Sequence, residues 1–400
     1  MSAPSLGRRW IIWLIAPMVA LSAASTDIYL PSLPGVAADF GASSHQAQLT
    51  LSAFMYGYGV AQLICGPLSD RFGRRPVLIG GLVLYLATTA GCLFAPSIEW
   101  LIALRFVQAV AACTAPVIGR AIVRDVFPTD QIARAYAHIS IVFAIAPIAA
   151  PMVGGYLESA FGWRANFVML MAIGAALLAA TLLLLAETNQ HKNPLALRPS
   201  RLIGNYALMY GNRRFLGYAL GMGVAFSGVF AFISEGPFLL IDLLGLSPQG
   251  FGIVFGLVAI GFGIGSFACG RLAPRHGIDG TIAIGIACYL AASLIVNGFA
   301  LAGVVSVYAI CVPMVGLSIA IGLIMPNCQA GAVMPFPAMA GAASALLGFT
   351  HTTISSSTGA AVGWLHDGTP LPMTLATLAC GLLLVVLFCG LIRRGQSRIG

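Results

Sequence analysis

The sequence predicts an all-α polytopic membrane protein, with twelve transmembrane helices in two six-helix bundles related by pseudo-symmetry. Three observations carry this. Only 8% of the 400 residues are charged while 59% are hydrophobic, and the mean hydropathy is +0.94; a soluble domain carries roughly 25% charged residues. Apolar stretches of about 20 residues, each long enough to cross roughly 30 Å of hydrocarbon, recur along the chain. A segment of the first half also reappears, degenerate, 204 residues later.

The predicted spans are 9–31, 46–65, 77–95, 99–123, 134–157 and 164–186, then 214–240, 249–270, 280–299, 303–326, 338–363 and 370–392. Strands this apolar would lack the alternation of a barrel, so helices are the only spanning form. Glycine (47) and proline (22) are frequent within the spans, where neighbouring helices re-satisfy the freed backbone groups. Arg8 and Arg9 before an apolar run imitate a signal peptide. The apolar character continues through Asp27-Ile28-Tyr29 and many spans follow, so a retained first helix is expected.

The arginines set the orientation. With a cytoplasmic N-terminus and an even span count, 18 of the 20 basic residues fall on the inside, leaving Arg164 outside and Arg105 within a span. The positive-inside rule therefore predicts cytoplasmic N- and C-termini. The net charge of +8 expresses this asymmetry and implies no nucleic acid. The longest polar stretch, 187–213, divides the chain into an N-terminal bundle (1–186), a cytoplasmic linker and a C-terminal bundle (214–400). Gly66-Pro67-Leu68-Ser69-Asp70-Arg71-Phe72-Gly73 aligns with Gly270-Arg271-Leu272-Ala273-Pro274-Arg275-His276-Gly277, each after the second span of its half. The halves therefore read as parallel repeats.

The nine cysteines lie in or beside apolar stretches and read as small packing residues. No Cys/His spacing suits a metal, no nucleophile–base pair stands out and no P-loop is present, which speaks against an enzyme and against direct ATP use.

Several segments together resemble the major facilitator superfamily. Gly66–Pro76 is similar to its cytoplasmic loop signature G-x-L-a-D-R-x-G-R-R. Within the superfamily the sequence resembles the Bcr/CflA group of drug:proton antiporters. The likeness rests on Asp27-Ile28-Tyr29-Leu30-Pro31-Ser32-Leu33-Pro34 in span 1, Arg105-Phe106-Val107-Gln108 in span 4 and Ala146-Pro147-Ile148-Ala149-Ala150-Pro151-Met152-Val153-Gly154-Gly155 in span 5. It implies the major facilitator fold, a bacterial inner membrane, a proton gradient as energy source with no cofactor, export as the direction of the span-5 antiporter motif (Pro147, Pro151, Gly154, Gly155), and a monomer.

Physical reasoning on the same residues gives a candidate site. Arg105 within a span costs at least ~2.5–3.5 kcal/mol, so it should face a cavity and have a partner. Asp27 lies about 6 Å and Arg105 about 8 Å below the same membrane face, which makes Asp27 the expected partner. A carboxylate that alternates between a salt bridge and a desolvated pocket suits proton coupling; a static buried pair that orders the helices is the other reading. Gln108 shares the Arg105 helix face. Glu235 is the second carboxylate at membrane depth, open as a site for cationic drugs, a second proton site or an interfacial residue near Asp242.

Tyr29, Met55, Tyr56, Tyr58, Phe143, Phe226, Phe230 and Phe232 are candidates to line an adaptable apolar cavity, against the alternative of packing or lipid contact. His138 and His351 are weaker relay candidates. Pro147 and Pro151 lie one turn apart and bend or simply kink the helix, while Gly154 and Gly155 permit close helix contact.

At the inner face Gly66, Asp70, Arg71, Gly73, Arg74, Arg75 and Asp125 form a candidate gate. Asp70 is expected to pair with Arg74, with Asp125 joining, and to sit at the positive end of a helix from the other half. A plain basic anchor is the alternative. The whole predicts an exporter of amphipathic antimicrobials, such as chloramphenicol- or bicyclomycin-like compounds, in exchange for protons. A dedicated exporter of sugar, purine or amino-acid derivatives is the alternative. Phosphate esters would call for several arginines inside the spans, and only Arg105 is there.

Overall fold

The computed structural model describes residues 6–393, so Arg394 and Arg398 lie outside the described residues. Among the described residues every regular element is a helix. In the first half these are α1 (Leu6–Asp27), α2 (Leu33–Phe40), α3 (Ser44–Phe72), α4 (Arg74–Leu93), α5 (Ile98–Ala112), α6 (Thr114–Val126), α7 (Thr129–Phe161) and α8 (Arg164–Leu184). A linker helix α9 (Pro199–Gly211) precedes α10 (Arg213–Pro237), α11 (Pro248–Leu301), α12 (Val307–Val333), α13 (Ala340–Trp364) and α14 (Leu371–Leu387).

Ten stretches among the described residues are long and apolar enough to cross a membrane. One of them, Pro248–Leu301, holds two spans folded about Gly277, where φ is 70° and ψ 175°. The helix α13 adds a further span that its Thr/Ser-rich run makes too polar to qualify on hydropathy. Twelve spans result, as the sequence predicts.

Local chemistry explains the starts and breaks. A capping box opens α3: Ser43 Oγ accepts from Gln46 N and Gln46 Oε1 from Ser43 N. Asn212, Ser247 and Ser306 cap α10, α11 and α12 through their side chains. Gly73, with φ 108° and ψ 160°, separates α3 from α4 in a conformation that favours glycine. Its repeat partner Gly277 also has positive φ, so both copies of the loop keep this turn although the second has lost Asp70 and Arg74.

Three features differ from the sequence reading. Span 1 does not run unbroken to residue 31: α1 ends at Asp27, and Leu30–Ser32 form a 3-10 turn leading into α2. Pro31 and Pro34, which cannot donate ladder hydrogen bonds, account for the break. Span 4 divides into α5 and α6 at Cys113. The polar stretch 187–213 contains α9, which bridges the halves: Tyr206 Oη donates to Leu63 O on α3 at 3.0 Å, and Tyr210 Oη bonds Thr350 Oγ1 on α13 at 2.8 Å.

The halves meet along α3–α13 and α7–α11. Small residues let the backbones approach: a Cβ at Gly252 would press on the Pro151 and Met152 backbone, and one at Gly155 on Pro248 and Gln249. On the face opposite the arginines, Arg164 is neutralised by Asp39 at 2.6 Å, which also accepts from Trp163 Nε1.

Candidate functional site

Arg105 is the largest fully buried side chain. Its guanidinium lies 4.3 Å from the centroid of Phe54, 4.9 Å from Tyr29 and 5.8 Å from Phe167. These rings come from α3, the broken segment after α1, and α8, so three elements converge on one cation. Nη1 donates to Ser25 O at 2.9 Å and to Gln108 Oε1 at 2.7 Å. Gln108 Nε2 passes the chain on to Thr89 Oγ1, which donates to Tyr85 O; Tyr85 Oη in turn meets Ser25 Oγ. The ring of bonds thus returns to the last turn of α1. Nε and Nη2 of Arg105 are buried without a hydrogen-bond partner. A buried guanidinium held by rings and one bonded nitrogen keeps its remaining donors for a further acceptor.

The structure does not bring Asp27 and Arg105 into an ion pair. The arginine reaches the carbonyl of Ser25, two residues before Asp27, and the aromatic cage occupies the space around it. Asp27 is half-buried at the end of α1, and no hydrogen bond to its carboxylate forms among the described residues. The span-5 segment 146–155 meets this break directly. A Cβ at Gly154 would overlap the Ile28 carbonyl, and Gly155, beside it, packs on the second half. Asp27 therefore sits where a broken helix, the span-5 glycines and the inter-half contact come together.

Other candidates divide clearly. Tyr29 and Gln108 are fully buried within the Arg105 assembly. Met55 and Tyr56 on α3 are half-buried, and Tyr56 Oη crosses to Ser357 Oγ at 2.6 Å. Phe230 is buried against Gly359, and Phe232 stacks on Phe255, so both pack the core instead of lining an open space. Phe143 and His138 are exposed on α7, whereas His351 packs against Phe226 with rings 4.8 Å apart. Tyr58 is half-buried.

Glu235 is neither loosely interfacial nor alone. It is fully buried, accepts from Gln48 Nε2 of the other half at 2.7 Å and is paired with His366 Nδ1. Gln48 Oε1 accepts from Ser234 Oγ at 2.9 Å. Gln48 and His366 were not apparent as site residues in the sequence, because uncharged and loop positions carry no depth signal.

At the arginine-rich face Arg74 is the hub. It bonds Asp70 at 2.5 Å, Ser69 Oγ at 2.7 Å and Asp125 at 3.0 Å. The expected contact of Asp70 with a helix of the other half is not made. Its partners belong to the first half, and its carbonyl accepts from Asn193 N of the linker. Glu187, absent from the sequence-based site, closes the assembly by accepting from Arg74 N at 2.9 Å and Asn189 N at 2.8 Å. Arg75 donates to Leu182 O, while Arg71 is exposed and lies over the Phe72 ring. Gly66 meets only the rim of Val117, and Gly73 faces Glu187. Beside the second copy a recess of about 350 Å³ is lined by Arg214, Tyr218, His276 and Asp279, with Tyr218 donating to Asp279 at 2.6 Å.

The family model "Major Facilitator Superfamily" matches residues 15–360. Among similar proteins, a "Bicyclomycin resistance protein homolog" of Haemophilus influenzae is 30% identical over 94% of each chain. A "Chloramphenicol resistance protein" of Pseudomonas aeruginosa is 30% identical over 93% of this chain and 89% of its own length. "Multidrug resistance protein D" of Escherichia coli is 28% identical over 84% of each. Among solved structures, a bacterial homolog of the human lysosomal transporter Spinster, inward-facing and unoccupied, superposes with a TM-score of 0.75 at 16% identity, covering 99% of this chain and 98% of that one.

Proposed function

The chain belongs to the Major Facilitator Superfamily and is a membrane transporter, not an enzyme, and we propose that it exports amphipathic drugs in exchange for protons. The observation that carries this reading is the separated couple Asp27 and Arg105. The arginine is caged with two nitrogens lacking a hydrogen-bond partner, and the acid lies unpaired on the adjacent helix break. In the proposed cycle, ionised Asp27 swings on this break to the free donors of Arg105, and protonation releases it. Because the span-5 glycines bear on Ile28 and on the other half, movement of the break is transmitted to the inter-half contact, which gives alternating access around a midplane site.

The cargo class is inferred from relatives named for bicyclomycin, chloramphenicol and multidrug resistance and from the single intramembrane cation. Bundles 1–186 and 214–400 are the proposed moving units, with 187–213 as their linker. The arginine-rich face is assigned to the cytoplasm of a bacterial inner membrane on the positive-inside rule, with both termini inside. The proton gradient is the energy source, and the working unit is taken to be a monomer.

Proteoliposomes with an imposed pH gradient, loaded with chloramphenicol or bicyclomycin, test the reading. Substrate should drive proton movement, and Asp27→Asn should abolish gradient-driven flux while leaving substrate binding. Full proton-driven export by Asp27→Asn would sink the coupling role, and no substrate-linked proton flux in the wild type would sink antiport.

A further inference from the structure

Helix α9 lies outside the twelve spans, yet it is apolar on two sides. One side packs onto the bundle through half-buried Leu202 and Tyr206 and fully buried Met209. The other side presents Ile203 (67% exposed) and Leu208 (59% exposed), with exposed Gly204 and Ala207 between them. Positions 203, 204, 207 and 208 fall on one helical face, with Arg201, three residues before 204 and seven before 208, at its edge. A helix with two apolar sides is stable only where both escape water. The bundle covers one side, so the second requires another apolar medium.

Charge identifies which medium. Exposed Arg198 precedes the helix and exposed Arg213 follows it, about 20 Å apart across 13 residues. From 188 to 214 the chain holds five basic residues and no acid. An apolar face bracketed by cations suits an interface with anionic headgroups, where the apolar residues enter the acyl boundary and the arginines meet phosphates.

We propose that α9 is seated in the anionic lipid leaflet on the arginine-rich face, with Ile203 and Leu208 in the acyl boundary and Arg198 and Arg213 on lipid phosphates. Because Tyr206 and Tyr210 tie α9 to α3 and α13, the seat holds the strut that joins the two halves. The inference is independent of cargo and of proton coupling.

Hydrogen exchange of segment 199–211 in the full-length chain tests it, in nanodiscs of phosphatidylcholine alone or mixed with phosphatidylglycerol. Exchange should be ~10-fold slower with the anionic lipid. Arg198→Gln with Arg213→Gln should erase the difference between the two lipids, and Ile203→Glu with Leu208→Glu should speed exchange in both. Unchanged exchange in α3 and α13 would show that the variants are folded. Equal wild-type exchange in the two lipids would overturn the proposal, as would protection found only in particles holding two copies, which would make the occupant a second chain.

Discussion

At the residue scale, the site is a cation deprived of its obvious anion. Arg105 is held in the interior by three aromatic rings and one bonded nitrogen, and this arrangement depends on a planar guanidinium. Lysine carries the same charge as a compact ammonium that cannot lie flat over Phe54 and Tyr29 while bonding both Ser25 O and Gln108. Arg105→Lys should therefore lower the initial rate of substrate-driven proton exchange ~10-fold or more, about 1.4 kcal/mol in the barrier. Wild-type rates in this variant would mean that charge alone suffices and the cage is mere packing. That Arg105 matters was legible in the sequence, since a lone arginine inside a span is costly. Its surroundings were not legible: Phe54, Phe167, Tyr85 and Thr89 look like ordinary span residues until packing brings four elements together.

At the element scale, breaks and glycines place the chemistry. Gly154 bears on the Ile28 carbonyl, and both contact partners are backbone, so neither can rotate aside. Gly154→Ala is expected to cost about 1–3 kcal/mol through overpacking and to impair transport. Gly263→Ala, where a Cβ meets nothing within 4 Å, should be tolerated; comparing their thermal unfolding and flux checks this, and equal behaviour would refute the contact. The pattern Gly154-Gly155 announced a close approach but not its target, because helix partners are set by the tertiary fold.

The linker tie offers a second element-level test. Burial pushes the Glu187 carboxyl up, but backbone N–H bonds from Asn189, Arg74 and Arg75 together outweigh it and hold the group below its ordinary value. A depressed carboxyl stabilises the fold above its unfolded value, about 4.3, and loses that contribution as pH falls through the lower folded value. Proteolysis within 188–198 should therefore accelerate as pH drops below that region. Glu187→Gln should flatten the response, and an unaltered profile would assign it to other acids.

At the scale of the whole molecule, two assemblies stand at opposite faces and do different jobs. The Arg74 hub, expected from the sequence to latch the halves, binds first-half and linker groups only. A buried carboxylate ties the halves at the other face instead, where Glu235 meets Gln48 and His366. Twelve spans, the repeat and the arginine asymmetry were legible because hydropathy and charge are local properties. Which groups bridge the halves was not, since that depends on how two bundles lean together. A carboxylate here accepts from two donors at once, Gln48 Nε2 and His366 Nδ1. A glutamine in its place has one acceptor oxygen and turns an N–H₂ toward one of those donors, so one bond is lost and a like dipole faces it. Glu235→Gln should thus loosen closure at this face and raise the share of molecules open there. Spin labels at positions 43 and 369, measured by double electron–electron resonance, would read this as a larger long-distance population. A weakening of about 1.4 kcal/mol would shift the open-to-closed ratio tenfold. An unchanged distance distribution would remove Glu235 from the closure and leave α3–α13 and α7–α11 packing to hold the halves together.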